Sequence, residues 1–254
     1  MKKIAIYNIK GGVGKTTTCI NLACLLAKKK ISTLIWDLDP QGGSSFYFNK
    51  QNINDNSHSR LFNRYISIYD VIHSTDNHHI DIISNDSFFS DQFINKASQL
   101  TTLNFLNNDL IKITLEQVKD DYDVCLIDCS PGRFMLHENI FKTIDLLLVP
   151  NAPSPLSVYC NDKLMESFIG KPQSKYKIFS FYNMVQINKI LHRQFVENKN
   201  GDQKILNNYI PFYTDIENIT LTKRSIFEQS NHSNSIMPYS KLWNEISEKM
   251  EWLL

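Results

Sequence analysis

Lys10-Gly11-Gly12-Val13-Gly14-Lys15-Thr16-Thr17 decides how this chain is read. The stretch follows a short apolar, β-branched run, Lys3 to Asn8, which reads as a buried strand. It leads into Thr16 to Lys29, where Ile20, Ala23, Cys24 and Ala27 recur at helical spacing. Strand, glycine loop and helix in that order make an anion site. Glycines let the main chain curl so that successive N–H groups face inward. The helix beyond adds free N–H groups and a partial positive charge. In such a loop Gly11, Gly12, Val13 and Gly14 cradle phosphate through the backbone. Lys15 reaches the β- and γ-phosphates, the Thr16 hydroxyl ligates Mg²⁺, and Thr17 is placed to bond the α-phosphate. The spacing therefore predicts an ATP site.

Outward from the loop, strands alternate with helices. Ser32 to Asp37 reads as a second strand, so the first three elements form a parallel crossover. Residues 49–64 are polar and aperiodic and read as a surface loop. A helix is expected around Ile66 to Ile72 and a strand at Ile80 to Ser84. Helical patterns cover 86–96 and 105–119. Strands follow at Val124 to Asp128, Leu146 to Pro150 and Tyr176 to Asn183, with a helix from Ile187 to Glu197. A short late strand is expected at Asn208 to Pro211 and a closing amphipathic helix at Lys241 to Leu253. The expected architecture is α/β: a doubly wound, mostly parallel sheet flanked by helices, in one domain covering residues 1–254.

Composition fits that picture. A chain of 254 residues buries roughly three quarters of its unfolded surface and needs no disulfide to fold. No apolar run reaches the roughly 20 residues that span a bilayer, and the N-terminus lacks a signal-peptide pattern, so a cytoplasmic location is expected. Cys19, Cys24, Cys125, Cys129 and Cys160 contain no Cys-x-x-Cys pair. Cys125 and Cys129 flank an apolar run and are expected to be buried. The net charge is +1, but Lys171 to Arg224 holds nine Lys/Arg against four Asp/Glu. That local excess fits a polyanion partner or a solvated lysine-rich surface equally well.

The loop departs from the pattern G-x-x-x-x-G-K-[ST]. Ile9 stands at the first glycine, and a second lysine, Lys10, precedes Lys15 by five residues. This is the deviant Walker A motif, and with it the chain resembles the ParA/MinD/Soj family of partition and positioning P-loop ATPases. The resemblance implies a homodimer closed around ATP, in which Lys10 reaches the partner's phosphates. It also implies slow hydrolysis and a ParB-like activator protein.

Two acidic sites extend the resemblance. Asp37-Leu38-Asp39-Pro40-Gln41-Gly42 is similar to the family's D-x-D-P-Q motif. A carboxylate there orients the attacking water or accepts its proton. The resemblance assigns that to Asp39 and puts Asp37 nearer the metal. Paired aspartates at a strand end also serve as turn or helix caps; here they lie 22 residues beyond Lys15, in the family's order. Cys125-Leu126-Ile127-Asp128 resembles a Walker B strand, implying that Asp128 holds Mg²⁺ through water. The family's D-x-P-P continues here as Asp128-Cys129-Ser130-Pro131-Gly132-Arg133, with serine in place of one proline. That departure bears on switching rather than on nucleotide binding, and Arg133 reads as a surface charge.

The resemblance further implies a base pocket from Asn183 and the Ile210-Pro211 pair, although an Asn there also serves as a helix cap. It implies ATP-dependent, nonspecific DNA binding, with Lys189, Arg193, Lys223 and Arg224 as the candidate contacts. With only nine residues before the loop, no operator-reading domain is expected ahead of it. Four rivals share the scaffold, one of them a non-enzymatic remnant that binds nucleotide as a scaffold, against which the intact Lys15, Thr16, Asp39 and Asp128 argue. A MinD-like membrane ATPase needs a basic amphipathic tail. The last helix has the apolar stripe (Trp243, Ile246, Met250, Leu253), but Glu245, Glu248 and Glu251 line its polar side, so packing on the domain is expected. A metabolic ATP-dependent ligase or amidase would need substrate residues the sequence does not display. An iron–sulfur carrier would need partners for Cys129.

Overall fold

The computed structural model describes residues 1–50, 60–61, 66–85, 109–132, 135–167, 175–198, 204–229 and 234–253. Seven strands form one sheet: β1 (Lys2–Ile6), β2 (Thr33–Leu38), β3 (Ile72–Ser74), β4 (Ile80–Ile83), β5 (Val124–Cys129), β6 (Leu146–Asn151) and β7 (Lys177–Tyr182). Their order is β3-β4-β2-β5-β1-β6-β7. Every pairing is parallel except β3 against β4. Strands β2, β5 and β6 are buried at every residue. Their near-continuous apolar runs are what a parallel sheet covered on both faces demands.

The strand period divides the core in two. Ile4, Ile6, Ile35, Leu126 and Leu148 face one side, against helices α1 (Lys15–Lys28) and α10 (Ile236–Met250). Ala5, Trp36, Cys125, Ile127 and Val149 face the other, with Ile111, Leu115, Ile140 and Leu164. Those last four come from α3 (Leu110–Glu116), α4 (Met135–Phe141) and α5 (Pro155–Glu166). Cys125 and Cys129 are fully buried, as expected. Further helices among the described residues include α2 (Gly43–Tyr47), α6 (Ile190–Glu197), α7 (Thr214–Glu217), α8 (Ile219–Thr222) and α9 (Ile226–Gln229).

Two expected elements are corrected. Ile66 to Ile72 is not a helix. Asp70 returns its side chain to the Ser67 amide, closing a single 3-10 turn at Ile68–Asp70. Ile72, His73 and Ser74 beyond it then pair as β3 with β4. Asn208 to Pro211 is not a strand; only a Val185–Pro211 bridge forms. Pro211 has no N–H to give, and the Asn207 and Asn208 amides are captured by Glu245 at 2.7 and 2.8 Å. Glu245 itself is buried rather than lining a polar face. The expected helix at 86–96, and all but four residues of the 49–64 loop, lie outside the described residues.

The closing helix starts five residues earlier than its pattern suggested. Pro238 falls in its first turn, where a missing N–H costs nothing. Tyr239, Leu242, Trp243 and Ile246 form its buried stripe, whereas Leu253 is fully exposed.

Candidate functional site

The site lies at the carboxyl end of β1, between β5 on one side and β6 on the other. Such a point, where the chain's path through the sheet reverses, opens a crevice. Gly12 and Gly14 hold φ of +71° and +88°. Gly14 caps α1 in the left-handed conformation, and a Cβ there would lie 2.3 Å from the Asn183 amide nitrogen. Only glycine combines that backbone with that approach. Asn183, at the end of β7, donates its amide to the Val13 carbonyl at 2.9 Å. The expected base-pocket residue therefore abuts the loop itself. Pro211 joins the same region through its bridge to Val185.

Lys15 is buried. Its ammonium donates to the Lys10 carbonyl at 3.3 Å. Burial lowers its pKa, and the negative charges of Asp39 and Asp128 work against that lowering. Thr16 and Thr17 follow in the first turn of α1, and the Thr16 side chain bonds Asp128.

The parallel register sets Asp37 of β2 directly opposite Asp128 of β5. Asp37 Oδ2 accepts from the Ser45 amide and hydroxyl at 2.8 and 2.7 Å, and Oδ1 accepts from the Asp39 amide at 3.2 Å. Both its oxygens thus serve the turn and helix that follow. Asp128 Oδ2 accepts from the Ser44 hydroxyl at 2.8 Å. Asp128 Oδ1 is sealed from solvent with no hydrogen-bond partner. Burial raises both carboxyl pKa values; the charge of Asp37 adds to the rise at Asp128, and the charge of Asp39 adds to the rise at Asp37. An orphaned carboxylate oxygen beside a threonine hydroxyl is the donor set a magnesium ion takes, so these residues fit the metal. Asp39 closes its own turn by accepting from the Gln41 amide at 3.0 Å.

Ser44 and Ser45 were missed from the sequence. Their signal was a Ser-Ser pair just past Gly42-Gly43, at the start of α2. Tyr7 was missed too. Its hydroxyl donates to the Gly132 carbonyl at 2.7 Å, while the Gly132 amide donates to the Ile9 carbonyl at 3.1 Å. Ser130 to Gly132 is thereby tied to the start of the phosphate loop. Gly132 has φ +88°. Ile9 holds the place of the missing glycine by packing on the second core. Arg133 lies outside the described residues.

The four basic candidates fall on two segments. Lys189 caps α6 and Arg193 sits one turn on, both exposed. Arg224 is exposed beside Lys223 in the turn between α8 and α9. Lys223 is less available than its sequence suggested: its ammonium bonds the Phe46 carbonyl and lies 3.2 Å from the Phe46 ring centroid.

Geometry alone thus defines the class, a P-loop nucleotide-binding protein with an α/β sheet. A family profile described as "AAA domain" matches residues 1–179. The virulence plasmid ParA family protein pGP5-D of Chlamydia psittaci is 29% identical over 257 residues, covering 98% of this chain and 96% of that protein. A plasmid partition protein from Borrelia burgdorferi B31, solved bound to AMPPNP, superposes with a TM-score of 0.80 at 24% identity, covering 98% of this chain and 99% of that one. Cobyrinic acid a,c-diamide synthase of Mycobacterium smegmatis, with ADP and magnesium, gives 0.75 at 18% identity over 99% and 95%. The last two show the fold alone. The chain belongs to the family of ParA/Soj-type, deviant Walker A P-loop ATPases.

Proposed function

We propose that this chain is a partition-type ATPase that binds MgATP, pairs with a second copy of itself, and hydrolyses ATP to ADP and phosphate to end the pairing. One observation carries the reading. Two lysines share the glycine loop, yet Lys15 is buried within reach of the charges of Asp39 and Asp128. Lys10 instead sits at the rim with its ammonium on Ser157. The inner lysine serves the chain's own nucleotide, and the outer one is left for a neighbour's.

In this mechanism the loop amides and Lys15 hold the β- and γ-phosphates. Thr16 and Asp128 would hold the magnesium, whose charge would offset that on the phosphate oxygens. Asp37 keeps the Asp39 turn and α2 in place. Asp39 orients the attacking water and takes its proton. Lys10 of each copy reads the other copy's triphosphate, so the pair requires ATP and dissolves with ADP. A ParB-like protein stimulates hydrolysis.

Nonspecific DNA binding through Lys189, Arg193 and Arg224 follows from pairing, because two basic faces bind one polyanion with avidity. The membrane alternative loses its anchor, since Trp243 and Ile246 are buried in the core. Among the described residues no helix is long and apolar enough to cross a membrane.

Light scattering with ATP tests the pairing. Lys10→Ala is expected to stay monomeric and Asp39→Ala to persist as a dimer; a Lys10→Ala variant that pairs normally refutes the assignment. Gel shifts with duplex DNA are expected to show ATP-dependent, salt-sensitive binding. No shift at low salt would remove DNA from the account.

A further inference from the structure

Lys10 has three polar handles, and its own chain holds all three. The amide donates to Asn8 Oδ1 at 2.9 Å. The carbonyl accepts from Lys15 Nζ at 3.3 Å. The ammonium donates to Ser157 Oγ at 3.2 Å. The holders are themselves fixed. Asn8 is fully buried and donates Nδ2 to the Pro150 carbonyl at 2.9 Å. Ser157 is fully buried in the first turn of α5, with its amide on the N-cap Ser154 hydroxyl at 3.4 Å. The end of β6 and the start of α5 therefore present one hydroxyl to one lysine.

The electrostatics of that contact are unusual. Among the described residues no carboxylate forms an ion pair with Lys10. Its acceptor is a neutral hydroxyl. That hydroxyl stands on the first turn of a helix, whose partial charge is positive and repels a cation. The ammonium is placed without being neutralised. Bonds from an ammonium to phosphate oxygens are charge-assisted and roughly twice as strong as neutral ones, so a triphosphate within reach draws Lys10 away from Ser157.

We propose that Ser157 is a positioning residue for Lys10. Its hydroxyl retains the ammonium on its own chain in the single protomer and yields it to the nucleotide of a second copy. The contact thereby sets how tightly two copies pair. This rests on the reading of Lys10 as the pairing lysine.

The test is sedimentation of the full chain with magnesium and a non-hydrolysable ATP analogue. Ser157→Ala and Ser157→Cys are expected to pair more tightly than wild type, by about tenfold, because each protomer gives up one hydrogen bond on pairing in the wild type only. Ser157→Cys preserves the buried volume, so a folding defect in the alanine variant does not blunt the test. Ser157→Thr keeps the hydroxyl and is expected to pair as wild type. Affinity for a fluorescent analogue, measured below the pairing concentration, is expected to stay the same in all three. Alanine and cysteine variants that pair no more tightly than wild type, or equally well without nucleotide, overturn the proposal. Lys10→Ala separates the two failures. If it pairs like wild type, the reading of Lys10 falls; if it stays monomeric while the Ser157 variants match wild type, only the role of Ser157 falls.

Discussion

Asp37 and Asp128 face each other across two parallel strands, fully buried, each tied to a different serine of one short helix. Burial pushes both above the usual carboxylate range, and the charge of Asp37 adds to the rise at Asp128. The division between them is clear from their oxygens. Asp37 has both engaged by Ser45 and the Asp39 amide. Asp128 keeps one oxygen with no partner.

Substituting each aspartate is therefore expected to fail differently. Asp128→Ala removes the carboxylate oxygen that has no partner within the chain. ATP hydrolysis is expected to fall at least about a hundredfold, to the level of wild type stripped of magnesium, and added magnesium is not expected to restore it. Asp37→Ala leaves the Ser45 amide, the Ser45 hydroxyl and the Asp39 amide without their acceptor. Stability is expected to drop by about 2–4 kcal/mol, since orphaned buried donors keep their desolvation cost. Phosphate release and urea unfolding distinguish the two; equal stability losses would show that the carboxylates are equivalent.

Gly14 and Asn183 are coupled by contact. Gly14→Ala places a methyl 2.3 Å from the Asn183 amide nitrogen and forces alanine into φ +88°. The left-handed backbone alone costs about 1–2 kcal/mol, and the clash adds to it. Nucleotide binding is expected to be lost, as measured by titration calorimetry. Asn183→Ala in the same chain removes the clash but also the bond to Val13. The double variant is expected to be more stable than the sum of the single changes predicts; strict additivity would mean the loop has already moved away from β7.

How much of this was legible depended on where each constraint lay along the chain. The phosphate loop, β1, β2, β5, β6 and α1 are local signals: glycines, β-branched runs and a 3.6 period within one short window. The serines that hold the aspartates act across the fold, Ser44 reaching Asp128 from 84 positions away. No pattern in one sequence announces such a pair. The same is true of Tyr7 on Gly132 and of Lys10 on Ser157. Helix α5 was legible and overlooked, since Ser154-Pro155 is a serine cap followed by proline at the first helical position. Glu245 was misread because its period put it among the glutamates of a polar face. Its partners come from a loop that only the folded chain brings near.

Glu245 gives a direct stability prediction. Its carboxylate accepts from the Asn207 amide, the Asn208 amide and the Asn208 side chain, all within 2.8 Å. These bonds fix α10 to the segment that leads into Ile210 and Pro211. Glu245→Gln turns an amide group toward donors and is expected to cost about 2 kcal/mol. Glu245→Ala, which strands all three donors, is expected to cost about 2–4 kcal/mol. The urea midpoint is the measurement, with an unchanged slope showing that the folded state keeps its compactness. Midpoints equal to wild type would mean water replaces the carboxylate without loss.

His137 provides the pH prediction. The residue is 4% exposed, its ring 4.5 Å from that of Tyr7 and stacked on Phe141. Burial, assisted by the charge of Lys15, lowers its pKa to about 4. Between that value and the unfolded value near 6.5, the unfolded chain binds a proton that the folded chain refuses. The contribution of neutral His137 is therefore complete above pH 6.5 and disappears as pH falls toward 4, a change of about 3 kcal/mol. Asp37 and Asp128 titrate in the opposite sense over part of this range, so the informative quantity is a difference between proteins. His137→Gln cannot take up the proton. The stability of wild type relative to this variant is expected to fall steadily from pH 6.5 to pH 4 and to be flat above pH 7. Parallel profiles for the two proteins would mean that His137 meets solvent in the folded state.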